Sequence, residues 1–331
     1  MYEEMAMINS SLKLTIIIPS YTMDRYQDVI ELLDSINAQN YQPIESIIIV
    51  ERSQKLKSKI IEYIARNNYH GMQVLFRVGP RGVSYSRNMA IQRATGDIIA
   101  FIDDDAIAYP NWAEELIKTY RDNSVIGVTG PVIPLWENKS MAWIPQEFYW
   151  IVSCTFLNIN EITEVRNGFG ANLSFRREAF DIGGLLDTSL GVKGRGRKGW
   201  REPGAEEPEF SLRVRRKTGR KIVFNPDVKV KHKVLKYRMT TEFITKRAYW
   251  EGYAKALLQH RHATHKDKGI AMQTEWSLLK QIMLHLLPKT LIRLFYRPVI
   301  SLRHLVLIIT VLSCAAAGYL RYKLLLITGY R

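Results

Sequence analysis

The stretch "DIIAFIDDDA", Asp97–Ala106, decides how the chain is read. Ile98 to Ile102 is aliphatic without polar alternation, the pattern of a strand covered on both faces in a parallel sheet. It ends in three consecutive carboxylates, Asp103, Asp104 and Asp105. Three adjacent aspartates repel one another, so at neutral pH they need full solvent or a cation among them, and hard oxygen ligands suit Mg²⁺ or Mn²⁺. If strand alternation continues to the end, Asp103 and Asp105 face one side and Asp104 the other, which makes Asp104 the replaceable member. The competing reading is a solvated turn rich in Asp.

Working outward, the same strand pattern recurs at "LKLTIIIP" (12–19), "IESIIIV" (44–50) and "MQVLFRV" (72–78). Helix-like segments separate them. Val29, Ile30, Leu33 and Ile36 share one helical face, and two further helices are expected over 56–67 and 86–93. The alternation predicts a doubly wound α/β half, in which ligands bind outside the carboxyl ends of the strands, where Asp103–Asp105 lie. Residues 131–204 are less regular and include a glycine- and arginine-rich loop, "GVKGRGRKGWREPG" (191–204). A helix over "AEEPEFSLRVRRKTG" and strands at "KIVF" and "VKVKHKV" follow.

The formal charge is +15, and it is not evenly spread. Residues 1–228 balance at 28 basic and 28 acidic side chains, while 19 basic face 4 acidic residues after Val228. From Trp276 onward the basic residues are interleaved with aliphatic ones, which points to an anionic membrane surface and away from nucleic acid. Leu279, Ile282, Met283 and Leu286 suggest an interfacial helix over about 276–287. The uncharged run 305–320 is shorter than the roughly 20 residues needed to span a bilayer, with Arg303 and Lys323 placed to snorkel; a short span and a dipping anchor both stay open. Two domains are therefore expected, 12–235 and a helical membrane-association region, 236–331. Cys154 and Cys314 lie far apart and give no disulfide framework, and the acidic N-terminus lacks a signal peptide's apolar core. The bulk of the chain is thus expected at the cytoplasmic side of the cell membrane.

Four segments, "TIIIPSYTMDRYQDVIELLDSI", "GVSYSRNMAIQRATGDIIAFIDDDA", "FGANLSFRREAFDIGGLLD" and "GAEEPEFSLRVRRKTGRKIVFNPDVKVKH", follow in the order of a family 2 inverting glycosyltransferase of the GT-A fold. Over about residues 12–235 the chain resembles this family, most of all the membrane-associated members that build lipid-linked oligosaccharides and polysaccharides, including archaeal dolichyl-phosphate-dependent ones. The resemblance implies a GT-A Rossmann-like domain, a nucleotide-diphosphate sugar donor, a polyprenyl- or dolichyl-linked acceptor and Mg²⁺ or Mn²⁺. It implies a nucleotide-sugar site at Pro19, Ser20, Tyr21, Glu51, Arg87, Asn88, Asp103 and Asp104. Asp103, Asp105 and His232 would hold the metal. Asp97 is read as structural.

Glu206 and Glu207 are the catalytic candidates. Attack by a sugar hydroxyl needs a general base, and one carboxylate beside another suits that task. The resemblance, which sets Glu207 at the second acid of the family's acidic pair, implies Glu207 as the base and Glu206 as the residue that orients the site, with the roles open to exchange. An acidic first turn complementing the helix dipole is the plainer alternative. In the loop, Arg195 and Arg197 are expected to meet an acceptor phosphate and Trp200 to stack on a sugar. His260, His262 and His265 are read as a solvated linker, and the aromatic helix 246–258 as packing. An intact acidic pair leans toward extension of an existing lipid-linked sugar, because a polyprenyl phosphate is already ionised and needs no base. Direct transfer to polyprenyl phosphate and processive polysaccharide synthesis remain as alternatives. A nucleotidyltransferase is less favoured because "PSYTMDRY" has no glycine, and a non-catalytic sugar-binding membrane protein because the acidic residues are all present.

Overall fold

The computed structural model describes residues 11–156, 158–191, 203–262 and 273–329. An eight-stranded mixed sheet forms the centre, in the spatial order β3-β2-β1-β4-β9-β6-β10-β8. Its first half is parallel: β1 (Leu14–Ser20), β2 (Ile44–Glu51), β3 (Met72–Arg77) and β4 (Ile98–Phe101). These strands carry the β-branched runs, and Ile16, Ile17 and Ile18 are fully buried because helices cover both faces. Each such side chain contributes about 1.5–3 kcal/mol on burial. The covering helices are α1 (Tyr26–Asn37), α2 (Gln54–Arg66) and α3 (Val83–Ile91).

The second half continues through β5 (Ala106–Ala108), α4 (Trp112–Thr119), β6 (Val125–Thr129), β7 (Val132–Trp136), β8 (Thr163–Val165), β9 (Leu173–Arg176) and α5 (Glu178–Gly183). β9 enters the middle of the sheet antiparallel to both β4 and β6. Next come α6 (Glu206–Thr218), β10 (Lys221–Phe224) and β11 (Val230–Val234). α6 starts with Glu206, Glu207 and Glu209, ends with Arg215, Arg216 and Lys217, and is closed by Gly219 in the left-handed region at φ 68°. Both ends thus complement the helix dipole. A small sheet, β5-β11-β7, sits beside the large one, with β11 antiparallel to β5 and parallel to β7.

The C-terminal helices are α7 (Thr241–Arg261), α8 (Gln273–Gln281), α9 (Leu287–Arg293) and α10 (Pro298–Thr328). The single interfacial helix expected over 276–287 is in fact interrupted by a π-helical turn, Ile282–Leu286. Pro288 follows it and cannot donate a main-chain bond into the preceding turn, which favours the wider winding. The extra residue turns the expected face, so that Ile282 and Leu286 are buried while Met283 is exposed. The apolar run 305–320 is the middle of a longer helix of 31 residues, about 46 Å at 1.5 Å per residue. Arg303, Arg321 and Lys323 continue the helix although they bound the uncharged run. α10 is long and apolar enough to cross a membrane, yet one side of it is docked on the protein. Leu307, Ile308 and Val311 pack with Ile144, Phe148 and Ile151. Gly252 of α7 and Gly318 of α10 each face the other helix's backbone, where a Cβ would stand 1.9 Å from Ala315 O or Tyr249 O. The helix 246–258 thus packs against α10, and it also sends Arg247, Glu251 and Lys255 into the lining of a cavity, beyond the packing expected of it. His262 differs from its expected solvation: it is 5% exposed, with Nε2 3.9 Å from Glu209 Oε1. His260 meets the Tyr322 hydroxyl at 3.1 Å, and His265 lies outside the described residues.

Candidate active site

Strand register assembles the site. Ile17 pairs with Phe101 across β1 and β4, so the residues three further along each strand meet outside the sheet. There the Ser20 hydroxyl donates to Asp104 Oδ2 at 2.6 Å. The strand itself stops at Phe101, and Asp103 begins a tight turn in which Ala106 N donates to its carbonyl at 3.0 Å. Strand alternation therefore does not govern the three carboxylates. Asp104 is not a free outward residue: it is 7% exposed and bonded to Ser20. Burial, opposed by Arg25, raises its pKa to about 7.

The second sheet supplies the other side. His232 pairs with Ala106 across β11 and β5, which sets the imidazole beside Asp105, Nε2 to Oδ1 at 3.2 Å. Lys233 N fixes the Asp105 carbonyl at 2.9 Å. Two arginines complete this carboxylate's surroundings, with Arg25 at 2.6 Å and Arg238 at 2.9 Å from Oδ2. Burial works against the charge of Asp105, but His232, Arg25 and Arg238 outweigh it and hold the carboxyl well below its usual range. Asp103, Asp105 and His232 each offer one ligand atom, all within 4.8 Å of one another. Two carboxylate oxygens and an imidazole at that spacing fit a divalent metal of the Mg²⁺ or Mn²⁺ type.

Arg87 joins this corner to the acidic helix start. It rises from α3, is 1% exposed, and lies 4.9 Å over the Phe101 ring. Its Nη1 donates to Glu207 Oε1 at 2.8 Å, and its Nη2 donates to Asp103 Oδ1 at 3.2 Å and Gly170 O at 3.3 Å. The guanidinium fork of Arg87, placed by the resemblance in the nucleotide-sugar site, is thus turned on carboxylates. Glu206 is sealed, with its side chain 4% exposed against 16% for Glu207, and burial together with Glu207 raises its pKa to about 8. Glu207 is the more accessible carboxylate of the two.

A cavity of about 1180 Å³ runs past Pro19, Ser20, Tyr21, Glu51, Arg87, all three aspartates, Glu206, Glu207 and His232. Glu51 is fixed by Arg77 Nη2 at 2.7 Å. Asn88 is not among the lining residues; its side-chain amide donates to Leu186 O at 2.8 Å and accepts from Leu186 N at 2.9 Å. Arg195, Arg197 and Trp200 lie outside the described residues. Asp97 accepts from Lys13 N at 2.7 Å, in keeping with a structural role. Sequence reasoning missed Arg25 and Arg238, although a buried carboxylate requires cations and each Arg closely follows a strand that ends at the site. It also missed the far wall of the cavity, built from Arg166, Lys255, Glu275 and the apolar sides of α8 and α10.

Residues 15–183 match the sequence profile of Glycosyl transferase family 2. The chain is 34% identical over 250 residues to the glucosyl-dolichyl phosphate glucuronosyltransferase of Haloferax volcanii, covering 75% of this chain and 77% of that protein. It is 26% identical over 194 residues to the succinoglycan biosynthesis protein ExoM of Rhizobium meliloti, 57% of this chain and 58% of that one. Among solved structures, the mannosyltransferase PcManGT from Pyrobaculum calidifontis in complex with GDP-Man and Mn²⁺ superposes with a TM-score of 0.61 at 18% identity, over 95% of this chain and 88% of that one. The mixed sheet with its metal-type Asp-x-Asp corner is the GT-A architecture, and the chain belongs to glycosyl transferase family 2.

Proposed function

We propose that this glycosyltransferase moves a sugar, with inversion, from a nucleotide-diphosphate donor to a polyprenyl- or dolichyl-linked saccharide at the cytoplasmic face of the membrane. The observation that carries the reading is the continuity of one cavity, from the carboxylates at Asp103–Asp105 and Glu207 to the apolar helices α8 and α10. The glucosyl-dolichyl phosphate substrate in the name of the Haloferax relative is of the same kind, a saccharide on a lipid phosphate.

Pro19, Ser20, Tyr21 and Glu51 surround the nucleoside end of the donor. Asp103, Asp105 and His232 would hold the divalent cation, Mg²⁺ or Mn²⁺. When bound, that ion offsets the charge growing on the departing nucleoside diphosphate. Glu207 accepts the proton of the acceptor hydroxyl, whose oxygen bonds to the anomeric carbon as the bond to the diphosphate breaks on the opposite face. Arg87 keeps Glu207 and Asp103 in fixed relation during this step.

Membrane attachment is assigned to α9 and α10. Phe295 is 87% exposed and Ile327 81%, and Val299, Leu302, Ile309 and Leu324 are also exposed. The opposite side of α10 is docked on the protein, which favours a helix lying along the bilayer surface with its outer side in lipid. Incubation of the purified protein with a panel of nucleotide sugars and dolichyl-linked saccharides, followed by mass spectrometry, tests the activity. A product heavier by one sugar is expected; no transfer and no nucleoside diphosphate release with any pair would overturn the reading.

A further inference from the structure

The cavity that contains the metal corner also carries a buried set of ion pairs in its lining. Arg166, just after β8, is 6% exposed at its side chain and grips Glu275 of α8 in a two-pronged contact, Nη1 to Oε2 at 2.8 Å and Nη2 to Oε1 at 2.8 Å. Its Nε donates to Asn167 Oδ1 at 2.8 Å, which aims the fork. Lys255 of α7 lies 2.9 Å from the same Glu275 and 2.8 Å from Glu251, and Arg247 pairs with Glu251 at 2.6 Å. Among the described residues, three cations, Arg166, Lys255 and Arg247, are thus paired with two carboxylates, Glu275 and Glu251. Burial opposes both carboxylates, but Lys255 holds each down to about 2, together with Arg247 at Glu251 and Arg166 at Glu275. Both therefore stay ionised.

Two further facts give this cluster direction. The segment after Arg166 runs through Gly168 to Gly170, whose carbonyl accepts from Arg87, so one short stretch joins the cluster to the base and the metal corner. Leu278, Leu279 and Ile282, which follow Glu275 in the chain, line the same cavity, and Ile282 shares one hydrophobic cluster with Val311 of α10, against which Leu278 and Leu312 pack. The charged cluster is thus linked along the chain to the reacting end through residues 166–170 and to the apolar part of the cavity lining through α8. A guanidinium fork suits carboxylate and phosphate alike, and a lipid phosphate has an anionic head joined to an aliphatic chain.

We propose that Arg166 and Lys255 form the binding site for the phosphate of the lipid-linked acceptor, and that the Glu275 carboxylate occupies it in the resting protein and is displaced on binding. The proposal rests on the lipid-linked acceptor reading. Phosphate also occurs in the donor, so the test must separate the two sources.

The test titrates full-length wild type, Arg166→Gln and Glu275→Gln in detergent with dolichyl phosphate, uncharged dolichol, and UDP or GDP. Arg166→Gln should weaken dolichyl phosphate about tenfold or more and leave dolichol and the nucleotides unchanged. Glu275→Gln should tighten dolichyl phosphate several-fold. Unchanged dolichyl phosphate affinity in an Arg166→Gln protein that still binds nucleotide overturns the proposal. So does a loss confined to UDP and GDP, which would give the cluster to the donor. Should Arg166→Gln fail to fold, Glu275→Gln decides alone, and equal or weaker binding sinks the idea. A wild type that shows the expected binding pattern but transfers no sugar leaves the phosphate site standing and removes the proposed activity.

Discussion

Arg87 and Glu207, 120 residues apart in sequence, meet through a 2.8 Å bond from Nη1 to Oε1. Because the other arm of the same guanidinium reaches Asp103 at 3.2 Å, one rigid planar group spaces the proposed base from the metal corner. Distance between these carboxylates is thereby set by covalent geometry, and burial of Arg87 under Phe101 prevents it from swinging away.

Lysine at position 87 keeps the charge and loses the fork. It can hold one carboxylate well but not both, so Arg87→Lys should lower kcat about 100-fold, the size of effect that misplacement by an ångström produces. Donor KM should change far less. Steady-state kinetics with a fixed donor and acceptor checks the split, and an unchanged kcat would show that spacing by Arg87 is irrelevant.

Asp103 and Asp105 should part company in stability though both serve the metal. Asp105, 3% exposed at its side chain, is the counter-charge shared by Arg25 and Arg238, so Asp105→Asn leaves Arg25 to Asp28, 3.3 Å away, and strips the carboxylate from buried Arg238. The expected cost is about 3–5 kcal/mol. Asp103 is 33% exposed at its side chain and pairs with Arg87 alone, so Asp103→Asn should cost about 1 kcal/mol or less. Denaturant unfolding without metal measures this difference. Calorimetric titration with Mn²⁺ should show binding lost in both, and EDTA should silence the wild type.

Glu206 makes stability pH-dependent in a defined direction. Its pKa rises on folding from 4.5 to about 8, so the folded state holds the proton more tightly. Stability from this group is complete below pH 4.5 and declines as pH rises toward 8. Glu206→Gln imitates the protonated acid, so its Tm should be flatter across that window and exceed the wild-type value at the alkaline end. Thermal unfolding of metal-free protein at several pH values is the check, and parallel curves would contradict the assignment.

Gly170 separates activity from stability. A Cβ there would stand 2.1 Å from Glu207 Oε1 and 2.5 Å from Arg87 Nη2, and of the two it is the more exposed Glu207 that can give way. Gly170→Ala should therefore fold with little loss while displacing the base, lowering kcat about tenfold to 100-fold. A variant with near-normal kcat would mean that Glu207 need not stand where it does.

The parts of this architecture legible in the sequence are those written locally. Strands β1 to β4 announce themselves as aliphatic runs, and the acidic clusters as adjacent like charges that demand a partner. β9 was hidden because it has four residues, with Ser174 and Arg176 breaking the apolar pattern, and it gains its central place only through pairing with β4 and β6. The arginines at Asp105 come from 80 and 133 residues away, and the Arg166–Glu275 fork closes over 109. No local pattern encodes such partners. The side-by-side reading of Asp103 and Asp105 reached the right neighbourhood for a wrong reason: alternation ends with the strand at Phe101, and a turn together with β11 brings them to His232.

The docking of α10 on α7 gives a prediction whose sign is opposite to the usual rule. Replacing a glycine inside a helix by alanine ordinarily stabilises it by about 1 kcal/mol. At Gly252 and Gly318 the added Cβ would sit 1.9 Å from main-chain oxygen of the facing helix, and backbone cannot move aside as a side chain can. Gly252→Ala and Gly318→Ala should each destabilise by about 1–3 kcal/mol by forcing the helices apart. Val311, Leu312 and Tyr319 of α10 line the cavity, so the same separation should open its apolar wall. KM for a lipid-linked acceptor should then rise while KM for the nucleotide sugar stays near wild type. Limited proteolysis should release the C-terminal helix faster. Alanine variants that are more stable than wild type would mean that α7 and α10 do not pack through these glycines.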